Sequence, residues 1–192
     1  MPTLPTNPHY IGDSGHVNDH NTIVSALQDI YAFRGVYQVK STTKTDVFTV
    51  SLSAGAVSDI TGLSVSITPT SASNKILVMA SVTGSRAYTI AGFGIRVVRG
   101  TTPILAGTAD GNRLAISAST LAAVDYNEAV ANVSTSGLDS PATTTATTYK
   151  VAIHSNITGG PFTWQVNRTA SDTDAAYTGR FASSITVMEV AP

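Results

Sequence analysis

From Val36 onward, apolar and polar residues alternate with a period of two, in short runs separated by turn residues. Val36, Gln38 and Lys40 alternate with Tyr37 and Val39, and residues 47–52 and 63–68 follow, the last strictly alternating. Residues 69–74 are a turn cluster. Ile76-Leu77-Val78-Met79 is a continuous apolar run extending to Val82, the pattern of a central strand covered on both faces. Residues 86–88 read as a strand end or an exposed loop. Phe93, Ile95 and Val97 alternate with Gly94, Arg96 and Val98. Pro103 makes residues 102–106 an edge, because proline cannot donate to a central ladder. Asp110-Gly111-Asn112 signals a tight turn into residues 113–117, and a further strand is predicted over 128–134.

Tyr149, Val151 and Ile153 form one face of the next strand, with Lys150, Ala152 and His154 on the other. Gly159-Gly160-Pro161 turns into residues 162–166, residues 167–179 are polar and loop-like, and residues 183–190 close the chain. In that last strand Ile185, Val187 and Glu189 share a face. Short strands with no helix between them predict a mostly β fold, an antiparallel β-sandwich of jelly-roll type.

One segment has the helical period instead. His20, Ile23, Leu27, Ile30 and Arg34 are spaced 3-4-3-4, flanked by Val24 and Tyr31. Asn18 or Asp19 can cap it, and Gly35 can stop it. Fixing about fifteen residues costs on the order of 1–2 kcal/mol each in backbone entropy. Burying Ile23, Leu27 and Ile30 returns roughly 1.5–3 kcal/mol apiece. The stripe therefore needs partners, and those three residues are the candidate oligomer interface.

The predicted organisation is an extended anchor arm over 1–18, a helix over 19–34 and a β-sandwich head over 36–192. Pro2, Pro5 and Pro8 bias the first eleven residues toward extended geometry. That segment fits either a disordered tail or an arm docked on another subunit. In the second case Pro5, Pro8, Tyr10 and Ile11 are the anchor.

Composition narrows the function classes. Charged residues are 12% of the 192-residue chain, against roughly 25% in typical soluble proteins. Net charge is -1, so no electrostatic footprint for nucleic acid is visible. Such a surface suits packing in an assembly. Cysteine is absent, which excludes disulfides and thiolate metal sites. No apolar run reaches the roughly 18–20 residues of a membrane span, and the first residues lack the basic and apolar regions of a signal peptide. A protein of this kind that acts outside a cell needs a route other than its own signal peptide, virion assembly followed by lysis being one.

Several stretches carry a resemblance. They are Thr61-Gly-Leu-Ser-Val-Ser-Ile-Thr-Pro69, Ser73-Asn-Lys-Ile-Leu-Val78, Leu138-Asp-Ser-Pro-Ala-Thr-Thr144 with Thr148-Tyr-Lys-Val151, Val166-Asn-Arg168 and Ser184-Ile-Thr-Val-Met-Glu189. Together they resemble the β-rich modules of tail-fibre and other virion proteins of marine bacteriophages. Gly15-His-Val-Asn-Asp-His-Asn21 resembles the opening of small phage tail or fibre proteins. The resemblance implies a trimeric fibre or spike on the particle surface, made in the host bacterial cytoplasm. With no shaft between arm and head, it implies a short fibre, a spike or a capsid decoration.

Candidate chemistry is sparse. His16 and His20 are four apart and could share a metal, but no Glu lies between them for a zinc-protease motif. Asp172, Asp174 and Asp110 are oxygen-ligand types without a recognised calcium-loop series, and turn chemistry accounts for them. His154 has no acid beside it in sequence, and no Gly-x-Ser-x-Gly occurs. The expectation is no enzyme, no metal and no cofactor. Tyr88, Trp164 and Tyr177 are the aromatic candidates for surface binding, with core packing the alternative for Trp164. The expected partners are further copies of the chain, other virion proteins through the arm, and a host-surface glycan or protein. Nucleic acid and membrane insertion are not expected. The alternative function is a capsid decoration protein without a receptor.

Overall fold

The computed structural model describes residues 14–32, 35–86, 91–122, 128–155 and 157–192, with the side chains of 14–16, 28–32, 91–93 and 121–122 outside that description. Among the described residues one helix, α1 (Ser14–Ala32), precedes eleven strands: β1 (Val36–Lys44), β2 (Phe48–Leu52), β3 (Val57–Ile67), β4 (Lys75–Arg86), β5 (Ala91–Arg99), β6 (Thr102–Ile104), β7 (Ala118–Ala122), β8 (Ala131–Asp139), β9 (Thr147–Ser155), β10 (Phe162–Val166) and β11 (Ser183–Val190). All the pairings are antiparallel.

Three pairs of strands lie in tandem. β11 and β10 lie along the same side of β4, at residues 75–81 and 84–86, and carry β1 and β2 on their far side. β6 and β7 likewise share one side of β5. Counting each tandem as one position, the chain has eight positions in two sheets, β1/β2–β11/β10–β4–β8 and β3–β9–β5–β6/β7. The first position pairs with the eighth, the second with the seventh, the third with the sixth and the fourth with the fifth. That is a long antiparallel hairpin wrapped on itself, the jelly roll.

The inward faces interdigitate around Val65, Ile67, Val78, Ile95, Val151 and Ile185; the period-two reading had placed all of these but Val78 on one face of their strands. β4 is the clearest case. Ile76, Val78, Ala80 and Val82 are buried, whereas Leu77 and Met79 opposite are only half-buried. The expectation of a strand covered on both faces is therefore corrected: among the described residues nothing is layered on the outer side of β4.

Other boundaries differ from the sequence reading. The described helix runs from Ser14 to Ala32, so residues 14–18 of the expected arm are helical, while Phe33 and Arg34 lie outside the described residues. Asn18 is inside the helix, and its carbonyl accepts from Thr22 Oγ1 at 2.8 Å. The Asp110 turn forms, closed by hydrogen bonds in both directions with Arg113, but the strand behind it begins only at Ala118. The strand expected at 128–134 is β8, starting at Ala131. Pro103 sits on the short edge piece β6, as its missing donor requires.

Candidate functional site

The register puts two different chemistries at the two ends of the sandwich. One end, next to the helix, collects the start of β1, the ends of β3, β5, β8 and β11, and the start of β9. Its buried polar side chains, among the described residues, have hydrogen-bond partners. Glu189 is fully buried and accepts hydrogen bonds from Gln38 Nε2 at 2.6 Å, Thr70 N at 2.6 Å, Thr70 Oγ1 at 2.7 Å and Asn74 Nδ2 at 2.7 Å. Burial alone would raise its pKa, but the donors from Gln38, Asn74 and Thr70 outweigh that and hold the carboxyl at about 2. This clasp ties the β3–β4 turn to the first and last strands. A second clasp joins the sheets: Tyr149 Oη donates to Asp139 at 2.7 Å, and Arg99 donates to both Asp139 oxygens at 2.8 and 2.9 Å. Burial first, then the hydrogen bond to Asp139 and the Asp139 charge, pushes the Tyr149 phenol well above its ordinary range.

The opposite end collects the end of β4, the start of β5, the end of β9 and the start of β10. Here Arg86 continues the inward stripe of β4, in register with Trp164. It is 8% exposed, with its guanidinium 3.9 Å from the Phe162 ring centroid and 5.6 Å from that of Trp164. Its Nε is buried without a hydrogen-bond partner, and among the described residues no carboxylate pairs with it. Burial lowers its pKa. Ser155, on the inward face of β9 at this same end, is buried with an unpartnered Oγ. Gly160 shapes the approach to Phe162: at φ +106° it accepts no side chain without strain, and a Cβ there would meet Phe162 Cδ2 at 3.0 Å.

His154 does not join Ser155 in catalytic chemistry. Successive strand residues point to opposite faces, so His154 lies on the outer face against Gly94 while Ser155 points inward. Burial, then the Arg96 charge, lowers the His154 pKa, and its Nδ1 has no partner. Among the described residues no three His, Asp or Glu side chains cluster as a metal site. His20 is exposed, and the side chain of His16 lies outside the description. Asp172 pairs with Arg168 at 3.6 Å and with Arg180, and Asp110 pairs with Arg113 at 2.8 Å across its turn.

The aromatic candidates separate. Trp164 is fully buried in the core, which corrects its place among the surface-binding candidates: it faces inward beside Arg86, where an indole is covered by both sheets. Tyr177 is exposed, on the excursion between β10 and β11, while Tyr88 and the anchor residues Pro5, Pro8, Tyr10 and Ile11 lie outside the described residues. On the helix, Ile23 and Leu27 are exposed in the single chain at 43% and 49%, and the Ile30 side chain is outside the description.

Two residues that organise the head were missed in the sequence. Asn167 ends β10 at φ +66°, donates to the carbonyls of Lys44 at 2.8 Å and Asp46 at 3.0 Å, and accepts from Ser183 Oγ at 2.6 Å. It thereby spans both tandem breaks, at β1/β2 and β10/β11. Arg86 was the other, although its even spacing from Ile76 through Val82 was a usable signal.

The outer face of the first sheet is a third feature. Val39, Met188, Leu77 and Leu138 are successive cross-strand partners and form an apolar row over four strands. Beside it Met79, Ser81, Ser134, Ser136, Ser184 and Thr186 line a shallow open depression. No charged residue stands in either row.

No protein-family model matches the chain. No curated protein matches it either. Among solved structures, the infectious bursal disease virus Gx strain matches at 12% identity with a TM-score of 0.37, over 82% of this chain and 43% of that one. The chain thus corresponds to less than half the length of that viral chain.

Proposed function

We propose that this chain is a non-enzymatic structural protein of a bacteriophage particle, a short trimeric fibre or spike. The observation carrying the reading is the helix stripe, with Ile23, Val24 and Leu27 all exposed ahead of a closed head. A helix of this length is marginal in water without a covered apolar face, so copies of the chain are its natural cover. Residues before the helix, Pro5, Pro8, Tyr10 and Ile11 among them, fasten the trimer to other virion proteins. The loop end remote from the helix then meets a host-surface glycan or protein. The low charge and the resemblance of the strand motifs to phage virion modules support the same assignment.

Leu27→Asp tests the trimer. Leu27 is half exposed in the single chain, so the head should fold normally while assembly is lost, since a carboxylate buried between helices is costly. Light scattering that finds an intact trimer in the variant, or a monomer in the parent protein, overturns the trimer.

The apolar row and the adjoining serine- and threonine-lined depression on the outer sheet face favour a second reading, a capsid decoration protein that packs flush against its neighbours and has no receptor. Antibody labelling of intact particles separates the two: signal over the capsid shell favours decoration, and signal at the tail tip favours adhesion.

A further inference from the structure

We propose that the loop end remote from the helix holds a carboxylate-binding site built on Arg86, and that its ligand is an acidic saccharide. Four observations carry the site. Arg86 is more than nine-tenths buried, its Nε is unpartnered, no described carboxylate neutralises it, and the Phe162 ring lies 3.9 Å from the guanidinium. A buried cation left unpaired is a standing cost. Two other deeply buried ionised groups are satisfied: Glu189 has four donors, and Lys44 reaches Asp46 at 2.6 Å. An aromatic face fixes the guanidinium plane, and a fixed planar fork is matched by a planar carboxylate.

The surroundings choose the carrier. Arg86 is a single cation in a chain of net charge -1, far from the several phosphate contacts that nucleic acid or an anionic membrane needs. Buried Ser155 Oγ on the facing sheet, also unpartnered, adds a neutral hydrogen-bonding group at the same end. One carboxylate accompanied by hydroxyls is the chemistry of a uronic or sialic acid. The choice of a saccharide rests on the adhesion reading above, whereas the carboxylate site stands on the geometry alone.

The test uses the full-length protein and its one tryptophan, Trp164, whose ring lies 5.6 Å from the Arg86 guanidinium. Trigalacturonate should change Trp164 emission saturably, and calorimetry should give the same affinity. Maltotriose, a neutral trisaccharide, should do neither. Arg86→Gln should weaken trigalacturonate binding at least tenfold, and Arg86→Lys should weaken it less, keeping the charge but losing the fork. An unchanged affinity in Arg86→Gln, or no response to trigalacturonate, overturns the site. Equal binding of inorganic phosphate overturns the carboxylate preference, and equal binding of glutarate overturns the saccharide. As a check independent of ligand, Arg86→Met should fold and melt at a higher temperature than the parent; a lower melting temperature would mean that the cation is satisfied. Competition of particle adsorption by trigalacturonate is measured separately, so the site can stand where the adhesion role fails.

Discussion

The two ends of the jelly roll are built from the same strands and differ in how their buried polar groups are treated. At the helix end, Glu189 receives four hydrogen bonds and Asp139 holds both Arg99 and Tyr149. At the other end, Arg86 Nε and Ser155 Oγ are buried with no partner. A satisfied end is a fixed base, suited to joining the helix. An end that leaves a cation and a hydroxyl unsatisfied gives up stability and keeps hydrogen-bonding capacity for something else. Satisfied and unpartnered buried polar groups are thus segregated along the strand direction.

Substitutions can test that division, beginning with the largest effect. Glu189→Ala strands the donors of Gln38, Thr70 and Asn74 in the interior, and should destabilise the head by about 3–5 kcal/mol. In a chain of this size that lowers the melting temperature by roughly 6–20 °C. A loss below about 1 kcal/mol would mean the base is not clasped there.

The same clasp predicts a pH dependence. The Glu189 carboxyl is held at about 2, below the ordinary 4.5 of a glutamate. Because the folded pKa is depressed, its contribution is complete above the unfolded pKa and is lost as pH falls through the folded one. Denaturant midpoints should fall between about pH 5 and pH 2, by up to roughly 3 kcal/mol in stability. Glu189→Gln should flatten that part of the profile, and an unchanged slope in the variant would remove Glu189 as its source.

A smaller effect belongs to the second clasp. Tyr149→Phe removes one hydrogen bond to Asp139 while Arg99 still pairs with it, so a cost of about 1–2 kcal/mol is expected in urea unfolding. The smallest change should come from the far end. Ser155→Ala deletes a hydroxyl that has no partner and should be neutral or stabilising by at most about 1 kcal/mol. A destabilisation as large as that of Tyr149→Phe would show that Ser155 is satisfied and would erase the contrast between the ends.

Much of the head was legible because one face of each strand is buried, and burial of one face imposes a period of two. Ile185, Val187 and Glu189 were placed together in this way, including the carboxylate that proved to be a clasp. Leu77 and Met79 misled for the same reason: an apolar residue on a strand reads as covered whether or not a second layer lies over it. Asn167 was unreadable because its role is to span two chain breaks through the carbonyls of Lys44 and Asp46, more than a hundred residues away in sequence. The apolar row over four strands has the same origin, since it exists only once the register sets Val39 beside Met188, Met188 beside Leu77 and Leu77 beside Leu138.

By itself, then, the sequence determined the class of fold, the inward face of most strands and the single amphipathic helix, because these follow from local periodicity and turn chemistry. The tertiary structure decided the strand order, the tandem breaks and the buried place of Trp164. It also decided which buried polar groups find partners. Satisfaction of Glu189 and isolation of Arg86 depend on what other strands bring within hydrogen-bonding distance, and pairing between distant segments leaves no periodic trace in the chain.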